Sequence, residues 1–208
     1  MIKKTKRENL KELFLKMKAD KELPLRETAT KLVFGAGTAE AEIMLIGEGP
    51  GRWEDEKGMP FVGNSGKFLD QLLHSIKLPR EEVFITNVVN YRPPENRDPL
   101  PEEIEAFRPY IDKMIEIIKP KIIITLGRFS MAKFIPGVRI SDVHGKARVV
   151  KWGKRNLTVI PMYHPAAGLR NGEMKRRTIE DFSNVPEMLS EVIENEVEQI
   201  EVEQMELV

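Results

Sequence analysis

The sequence predicts an α/β fold, a three-layer α/β/α domain built on a central, mainly parallel four-stranded sheet. Short apolar runs alternate along the chain with segments that have helical spacing of their apolar residues. Strands separated by helices need crossover connections, which produce parallel strands with helices on both faces. The length of 208 residues, of which 41% are hydrophobic and 32% charged, fits one globular domain with a sizeable core.

The elements follow one another in a regular order. The first predicted helix covers 5–20, and the predicted strands cover 42–47, 83–87, 121–126 and 157–162. Further helices are predicted over 65–76, 102–119, 129–134 and 178–206, where apolar residues recur at three- and four-residue spacing. A proline-rich loop over 91–100 connects the second strand to the long helix.

Composition excludes several classes of protein. No apolar run reaches the roughly 18–20 residues that a membrane span requires, and the basic N-terminus lacks the apolar stretch of a secretory signal. Cysteine is absent, which excludes disulfides, thiolate nucleophiles and metal sites built from thiolates. These features favour a cytoplasmic protein that does not contact membranes.

The net charge of zero hides an asymmetry between two parts of the chain. Residues 178–208 contain ten acidic residues and no Lys or Arg, so residues 1–177 hold 33 basic and 23 acidic residues, a net charge of +10. A basic body favours a polyanionic partner, nucleic acid first, although surface lysines can also serve solubility alone. We expect a domain over 1–190 and an acidic, partly helical C-terminal tail over 191–208.

Unusual segments follow each predicted strand. Ligands of parallel sheets bind at the carboxyl ends of the strands, so these segments should converge on one rim. The segments are Gly47-Glu-Gly-Pro-Gly51, Asn87, Gly127 and Tyr163-His164-Pro165.

Each candidate side chain admits a functional and a structural interpretation. Glycines let backbone amides approach a ligand, and Glu48 could orient a water, whereas a glycine turn can also be only a turn. The glycine spacing over 47–51 matches neither of the nucleotide-binding motifs GxGxxG and GxxxxGK(S/T). Phe61 offers a face for base stacking or is a core residue. Asn87 can pair with an imide edge or cap a turn, and His164 can donate to a substrate or serve structure.

Together these motifs resemble the family 4 uracil-DNA glycosylases. The resemblance covers residues 7–190. It is carried by Gly47-Glu-Gly-Pro-Gly51 with Glu54-Asp55, Gly58-Met-Pro-Phe-Val-Gly63, Phe84-Ile-Thr-Asn-Val-Val89, Arg92-Pro-Pro94 with Asn96-Arg97, Ile124-Thr-Leu-Gly127 and Tyr163-His-Pro-Ala-Ala167. It implies an enzyme that flips uracil out of DNA and hydrolyses its N-glycosidic bond, leaving an abasic site.

The resemblance also implies a role for each pocket residue. Phe61 would stack on the flipped uracil, and Asn87 would bond its polar edge. The backbone of Gly47–Gly49 would hold the uracil carbonyls, and Glu48 would position the attacking water. His164 would donate to the oxygen that becomes anionic as the bond breaks, which is the natural way to assist a dissociative cleavage.

Further expectations concern DNA and the assembly. The segment after His164 would occupy the groove as a loop, with Leu169 as a wedge that fills the vacated stack; its DNA-binding residues would be Pro165, Ala166, Ala167, Leu169 and Arg170. Glu54 would crowd the position of a thymine methyl. We expect a monomer that acts on uracil-containing DNA.

The main departure from the family concerns metal. The resemblance implies a 4Fe–4S cluster, which most members of the family bind through four cysteines. The corresponding positions of this sequence hold Asp20, Leu23, Tyr91 and Phe107. We therefore expect no metal and no cofactor. Apolar contact among Leu23, Tyr91 and Phe107 should replace the cluster, with Asp20 at the edge because an unpaired buried carboxylate is costly.

Two rival functions stay open at this level. One is an inactive protein that binds uracil or another DNA lesion without cleaving it. The other is an α/β protein that binds a small anion at the glycine turn, whose DNA affinity would not fall steeply with salt.

Overall fold

The protein folds around one six-stranded sheet. The computed structural model describes residues 4–153 and 155–206, with the backbone alone for residues 196–206. The strands lie in the order β1-β3-β2-β4-β6-β5, and the central four are parallel. Their bounds are β1 Ala36–Gly37, β2 Ile43–Gly47, β3 Phe84–Asn87, β4 Ile122–Leu126, β5 Arg148–Trp152 and β6 Arg155–Met162.

The prediction of a four-stranded sheet was wrong in its count. The four predicted strands are the central parallel ones, and β1 and β5 add an antiparallel strand at each edge. The first is only two residues long, too short to show any periodicity. The second is mostly exposed, because edge strands need no continuous apolar run.

Nine α-helices are described, and they cover both faces of the sheet. They are α1 Lys6–Ala19, α2 Arg52–Lys57, α3 Asn64–Ser75, α4 Pro101–Ile118, α5 Arg128–Ala132, α6 Ile140–Val143, α7 Pro165–Arg170, α8 Gly172–Ser183 and α9 Val185–Glu206. In the part of the chain that the structure covers, no helix combines the length and apolarity needed to cross a bilayer.

Two helix predictions need correction. The segment after His164, expected as a loop, forms the short helix α7, since Pro165 stands at the first helical position where its missing N–H costs nothing. The single helix predicted over 178–206 is two helices, α8 and α9, separated at Asn184.

The three-layer arrangement was predicted correctly and follows from the alternation of side chains along β2. Met44 and Ile46 face a core cluster that contains buried residues of α1 and α4. Ile43 and Leu45 face the opposite cluster, which contains buried residues of α3 together with Phe182 of α8. Both faces of the parallel strands are therefore buried, as the period of two requires.

The helix α9 crosses the expected boundary between domain and tail. Its residues Met188, Leu189 and Val192 still pack against the core cluster around α3. The domain boundary at residue 190 remains a prediction, and residues 207–208 of the tail lie outside the described part of the chain.

Candidate active site

A cleft of about 640 Å³ opens at the carboxyl ends of the parallel strands. It is lined by Glu48 and Gly49 after β2, Phe61, Asn87 at the end of β3, and His164 after β6. The cleft therefore unites residues that lie more than a hundred positions apart in the sequence. The convergence follows from the parallel order of these strands, which brings their carboxyl ends to one edge.

Asn87 presents an unpaired carboxamide in the cleft. Its side chain is 1% exposed, and neither Oδ1 nor Nδ2 has a hydrogen-bond partner among the described residues. A buried polar group without a partner costs about 1–3 kcal/mol. Such a group is therefore evidence for a ligand with a complementary acceptor and donor.

Phe61 is held in a conformation that non-glycine residues seldom adopt. Its φ of +50° is left-handed, and its ring is buried. Arg80 donates hydrogen bonds to the carbonyl oxygens of Pro60 and Phe61, the second at 3.0 Å. Strain of this kind persists only where the surroundings impose it, and it concentrates at functional sites.

Gly47 allows the ring of Phe61 and the carboxamide of Asn87 to lie close together. A Cβ atom at this position would lie 2.4 Å from Asn87 Oδ1 and 2.7 Å from the Phe61 ring. Only glycine allows this close approach. The ring of Phe61 in turn lies 5.7 Å from the ring of His164, measured between centroids, with 31° between the planes.

The carboxyl group of Glu48 has a pKa close to neutral pH. Burial, and then the charge of Asp98, raise the pKa of Glu48 to about 7, against the opposing influence of Arg128 and the backbone amides at the start of α5. Its carboxylate lies against Gly127, where a Cβ would be 2.2 Å from Oε1 and where φ is +105°. Glycine at this position thus leaves room for the carboxylate.

His164 is neutral at physiological pH, and its tautomer is fixed. Burial, and then the charge of Arg170, lower the pKa of His164 to about 4. The backbone N–H of Ala166 donates to Nδ1 at 3.1 Å, so the proton of the neutral ring resides on Nε2. The ring is therefore a neutral N–H donor at the cleft.

Glu54 braces the loop that carries Phe61. Its carboxylate accepts hydrogen bonds from the backbone N–H groups of Gly51, Val62 and Gly63 at 3.1, 2.8 and 2.7 Å. The steric role toward a thymine methyl that the resemblance implies for Glu54 remains a prediction. The bonds show in addition that it fixes the geometry of the loop.

The expected DNA-contacting residues lie on α7, beside the cleft. Ala166, Ala167 and Arg170 line the cleft, whereas Pro165 is buried at the first position of the helix. Leu169 is 48% exposed, as a residue that enters a base stack must be.

The positions of the expected iron–sulfur ligands form an aromatic brace, which we define as Leu23, Tyr91 and Phe107 with Asp20 at its edge. The first three are buried in one core cluster, and the rings of Tyr91 and Phe107 lie 6.2 Å apart. Asp20 accepts from the hydroxyl of Tyr110 at 2.5 Å. The predicted packing is confirmed for Tyr91 against Phe107, and Leu23 belongs to the same core cluster.

The brace does not fit an iron–sulfur cluster. None of its side chains supplies a thiolate, and those of Leu23, Tyr91 and Phe107 are buried in one apolar cluster. Arg26 adds hydrogen bonds to the carbonyl oxygen of Asp20 at 3.2 Å and to the hydroxyl of Tyr91 at 3.4 Å. Among the residues with described side chains, no group of three His, Asp or Glu residues is arranged to hold a metal ion.

Several residues of the site escaped the sequence analysis. Arg80 reaches the Phe61 loop from 19 positions away, and no local pattern signals such a contact. Asp98 and Arg128 form an ion pair that acts on Glu48 through its charges. Trp53, on the rim of the cleft, was the one residue with a usable signal, because a tryptophan between charged residues on a short helix is unusual.

Comparisons with known proteins agree with this geometry. The family model described as the uracil DNA glycosylase superfamily matches residues 34–185. The chain is 45% identical over 174 residues to a type-4 uracil-DNA glycosylase of Sulfurisphaera tokodaii, covering 81% of this chain and 79% of the relative. It is 43% identical to one of Archaeoglobus fulgidus, covering 87% and 94%, and 47% identical to one of Saccharolobus solfataricus, covering 75% of each.

Proposed function

The chain belongs to the type-4 uracil-DNA glycosylases of the uracil-DNA glycosylase superfamily, and we propose on that premise that its cleft holds a uracil flipped out of DNA. The protein is a DNA repair hydrolase that removes uracil from DNA and leaves an abasic site. The roles of its individual residues are the substance of the proposal.

The observation that carries the proposal is the unpaired carboxamide of Asn87. Uracil presents along one edge an imide N–H between two carbonyl oxygens. Oδ1 of Asn87 can accept from that N–H, and Nδ2 can donate to a neighbouring carbonyl oxygen. Phe61 would cover one face of the base, and the backbone of Gly47–Gly49 would approach its carbonyl oxygens.

The chemical step then divides between two residues. The bond from C1′ of deoxyribose to N1 of uracil breaks, and its electron pair stays with the base. Nε2–H of His164 donates a hydrogen bond to the uracil oxygen on which negative charge develops, which lowers the barrier without a proton transfer. Glu48 as carboxylate holds a water, whose oxygen bonds to C1′ and whose proton Glu48 accepts.

Several features support DNA as the partner of this surface. The basic body and the exposed side chains of Leu169 and Arg170 on α7 suit a phosphate backbone and an opened base stack. We place Ala166 and Ala167 against the DNA backbone beside them, whereas Pro165 is buried and would act only by fixing the start of α7.

We also propose that the enzyme works without an iron–sulfur cluster or any other cofactor. The brace supports this, because its apolar contacts tie the segment after α1 to the segment after β3. Iron analysis of the purified protein, with absorbance near 400 nm, tests the proposal. Stoichiometric iron would contradict it.

Two finer statements complete the proposal. The enzyme would act as a monomer, and it would reside in the cytoplasm, as the cysteine-free composition favours. Sedimentation in the presence and absence of DNA, and fractionation of cells, test these statements separately.

The proposed function is tested by release of uracil from a labelled oligonucleotide. The parent should release the base, and Asn87→Ala should be slower by about ten- to a hundred-fold or more, since the buried imide edge loses its partner. Asn156→Ala, an exposed asparagine near the start of β6 that does not line the cleft, is the control and should behave as the parent. A parent that binds uracil DNA without releasing the base would indicate the lesion-binding protein instead.

A further inference from the structure

Trp53 is an exposed aromatic residue at the rim of the cleft. It lies on α2, lines the cleft and is 53% exposed. Among the described side chains, it is the only aromatic one in the group of large hydrophobic residues that remain exposed. A large apolar surface in water is informative in a way that a single exposed leucine is not.

The contacts of Trp53 leave most of its ring available. One edge lies over the start of α3, where a Cβ added to Gly63 would be 3.3 Å from Cδ1 of the indole. The guanidinium of Arg52 lies 5.8 Å from the ring centroid, and Arg52 is also paired with Glu56 at 2.8 Å. Arg52 is exposed and Gly63 has no side chain, so the packing of the domain does not account for the tryptophan.

We propose that Trp53 stacks on a nucleobase next to the flipped uridine and gives the enzyme a preference for single-stranded DNA. The inference rests on the proposed function, because a uridine in the cleft fixes where the strand must run. With one nucleotide inserted as far as Phe61 and Asn87, the strand has to continue across the rim. An indole face at that rim meets a neighbouring base, and every base offers a face to stack on.

The preference for a single strand follows from what the neighbouring base must leave. In a duplex this base is paired and stacked on both sides, so moving it onto Trp53 breaks a second base pair. In a single strand the base is already unpaired, and stacking on an aromatic side chain is gained without that cost. The charges of Arg52 and Arg170, both on the cleft lining, suit the phosphates of such a strand.

A kinetic comparison of Trp53→Ala with the parent tests the inference. The half-saturating concentration of single-stranded uracil oligonucleotide should rise about 5- to 150-fold, the range expected for the loss of one stacked base. For a U·G duplex it should change less than about twofold, and the single-turnover rate at saturation should be unchanged on both substrates. Trp53→Phe should recover most of the loss, since phenylalanine also stacks.

A second measurement detects the stacking directly. The chain has two tryptophans, and Trp152 pairs with Arg155 at the start of β6, about 23 Å from the cleft end of that strand at about 3.3 Å per residue. In a Trp152→Phe variant, single-stranded DNA should quench the fluorescence of Trp53. Addition of the duplex should quench it far less at the same occupancy.

The outcomes separate this inference from the proposed function. Val149→Ala removes another exposed apolar side chain, on the edge strand β5, and should leave all substrates unaffected. Equal losses on single-stranded and duplex DNA, or no quenching at saturation, would overturn the inference while the parent still releases uracil. Absence of uracil release by the parent on both substrates would instead overturn the proposed function.

Discussion

The pocket that Glu48, Phe61 and Asn87 form in the cleft differs from the aromatic brace in whether its buried polar groups have partners. In the pocket the Asn87 carboxamide lacks any partner among the described residues. Burial raises the pKa of Glu48 to about 7, and the backbone of Phe61 has a left-handed φ. In the brace the Tyr110 hydroxyl donates to Asp20, and Arg26 donates to the Tyr91 hydroxyl. The pocket therefore carries costs that only a ligand relieves, whereas the brace has its polar groups matched within the fold.

This difference separates function from stability along one chain. Polar groups left unpaired, unusual backbone angles and displaced pKa values occur at the residues that we propose to act on the substrate. Packed rings and paired hydroxyls mark residues that hold the fold. Substitutions in the pocket should therefore affect rate, and substitutions in the brace should affect the free energy of unfolding.

The largest expected effect on stability is that of Phe107→Ala. Phe107 lies on α4 as part of the brace, and its ring is fully buried, so its removal leaves a cavity and should lower the free energy of unfolding by about 3–5 kcal/mol. Urea unfolding measures the loss, and the rate of uracil release per folded molecule at 25 °C should stay near that of the parent. A loss below about 1 kcal/mol would mean that the brace does not hold the fold.

The largest expected effect on rate is that of His164→Ala. A donor to a developing oxyanion contributes about 2.7–4 kcal/mol, so single-turnover cleavage should slow by about a hundred- to a thousand-fold. DNA binding should change little, and the free energy of unfolding should fall only by about 0.5–2 kcal/mol from the lost helix cap, since Nδ1 accepts from the Ala166 N–H. His74→Ala, an exposed histidine on α3, is the control. Equal rates for His164→Ala and the parent would remove this residue from the mechanism.

The sequence predicts the central strands and the place of the cleft better than it predicts the edge strands and the residues that support the cleft. Periodicity located β2, β3, β4 and β6 because buried parallel strands are continuous apolar runs. It missed β5 because an exposed edge strand needs no such run. The rule that ligands bind at the carboxyl ends of parallel strands predicts Glu48 and His164 on one rim, and both line the cleft.

The parts that escaped prediction depend on distance in the sequence. That Arg80 would bond the carbonyl of Phe61 depends on the turn before β3, which no local pattern specifies. The neutral state of His164 depends on burial and on the Ala166 amide, both products of tertiary packing. The pKa of Glu48 is raised partly by the charge of Asp98, which lies 50 positions away in the sequence.

A smaller effect concerns Glu48 and the dependence on pH. Its folded-state pKa of about 7 exceeds the ordinary value of 4.5, so the buried carboxylate lowers stability progressively as pH rises from about 4.5 through 7. Glu48→Gln should therefore raise the free energy of unfolding by about 0.5–2 kcal/mol at pH 8 and by almost nothing at pH 4.5. Thermal unfolding at the two pH values measures this difference.

The same pKa predicts the pH profile of catalysis. Since the carboxylate is the form that holds the water and accepts its proton, the single-turnover rate of the parent should rise with pH and level off above about 7. His164, with a pKa of about 4, stays neutral over this range and adds no second limb near neutrality. A rate that is constant between pH 5 and 8 would show that ionisation of Glu48 does not control the reaction.

The smallest expected effect belongs to the brace and sharpens the contrast with the pocket. Tyr110→Phe removes the hydrogen bond to Asp20 and should lower the free energy of unfolding at pH 7 by about 0.5–1.5 kcal/mol. That bond is the main cause that lowers the pKa of Asp20 below its ordinary 3.8, so the stabilisation is present above that value and is lost as pH falls below it. The difference between Tyr110→Phe and the parent should therefore narrow in acid, while the rate of uracil release at pH 7 stays the same. A fall in that rate would show that the brace reaches the pocket, because the substitution touches no group that contacts the base.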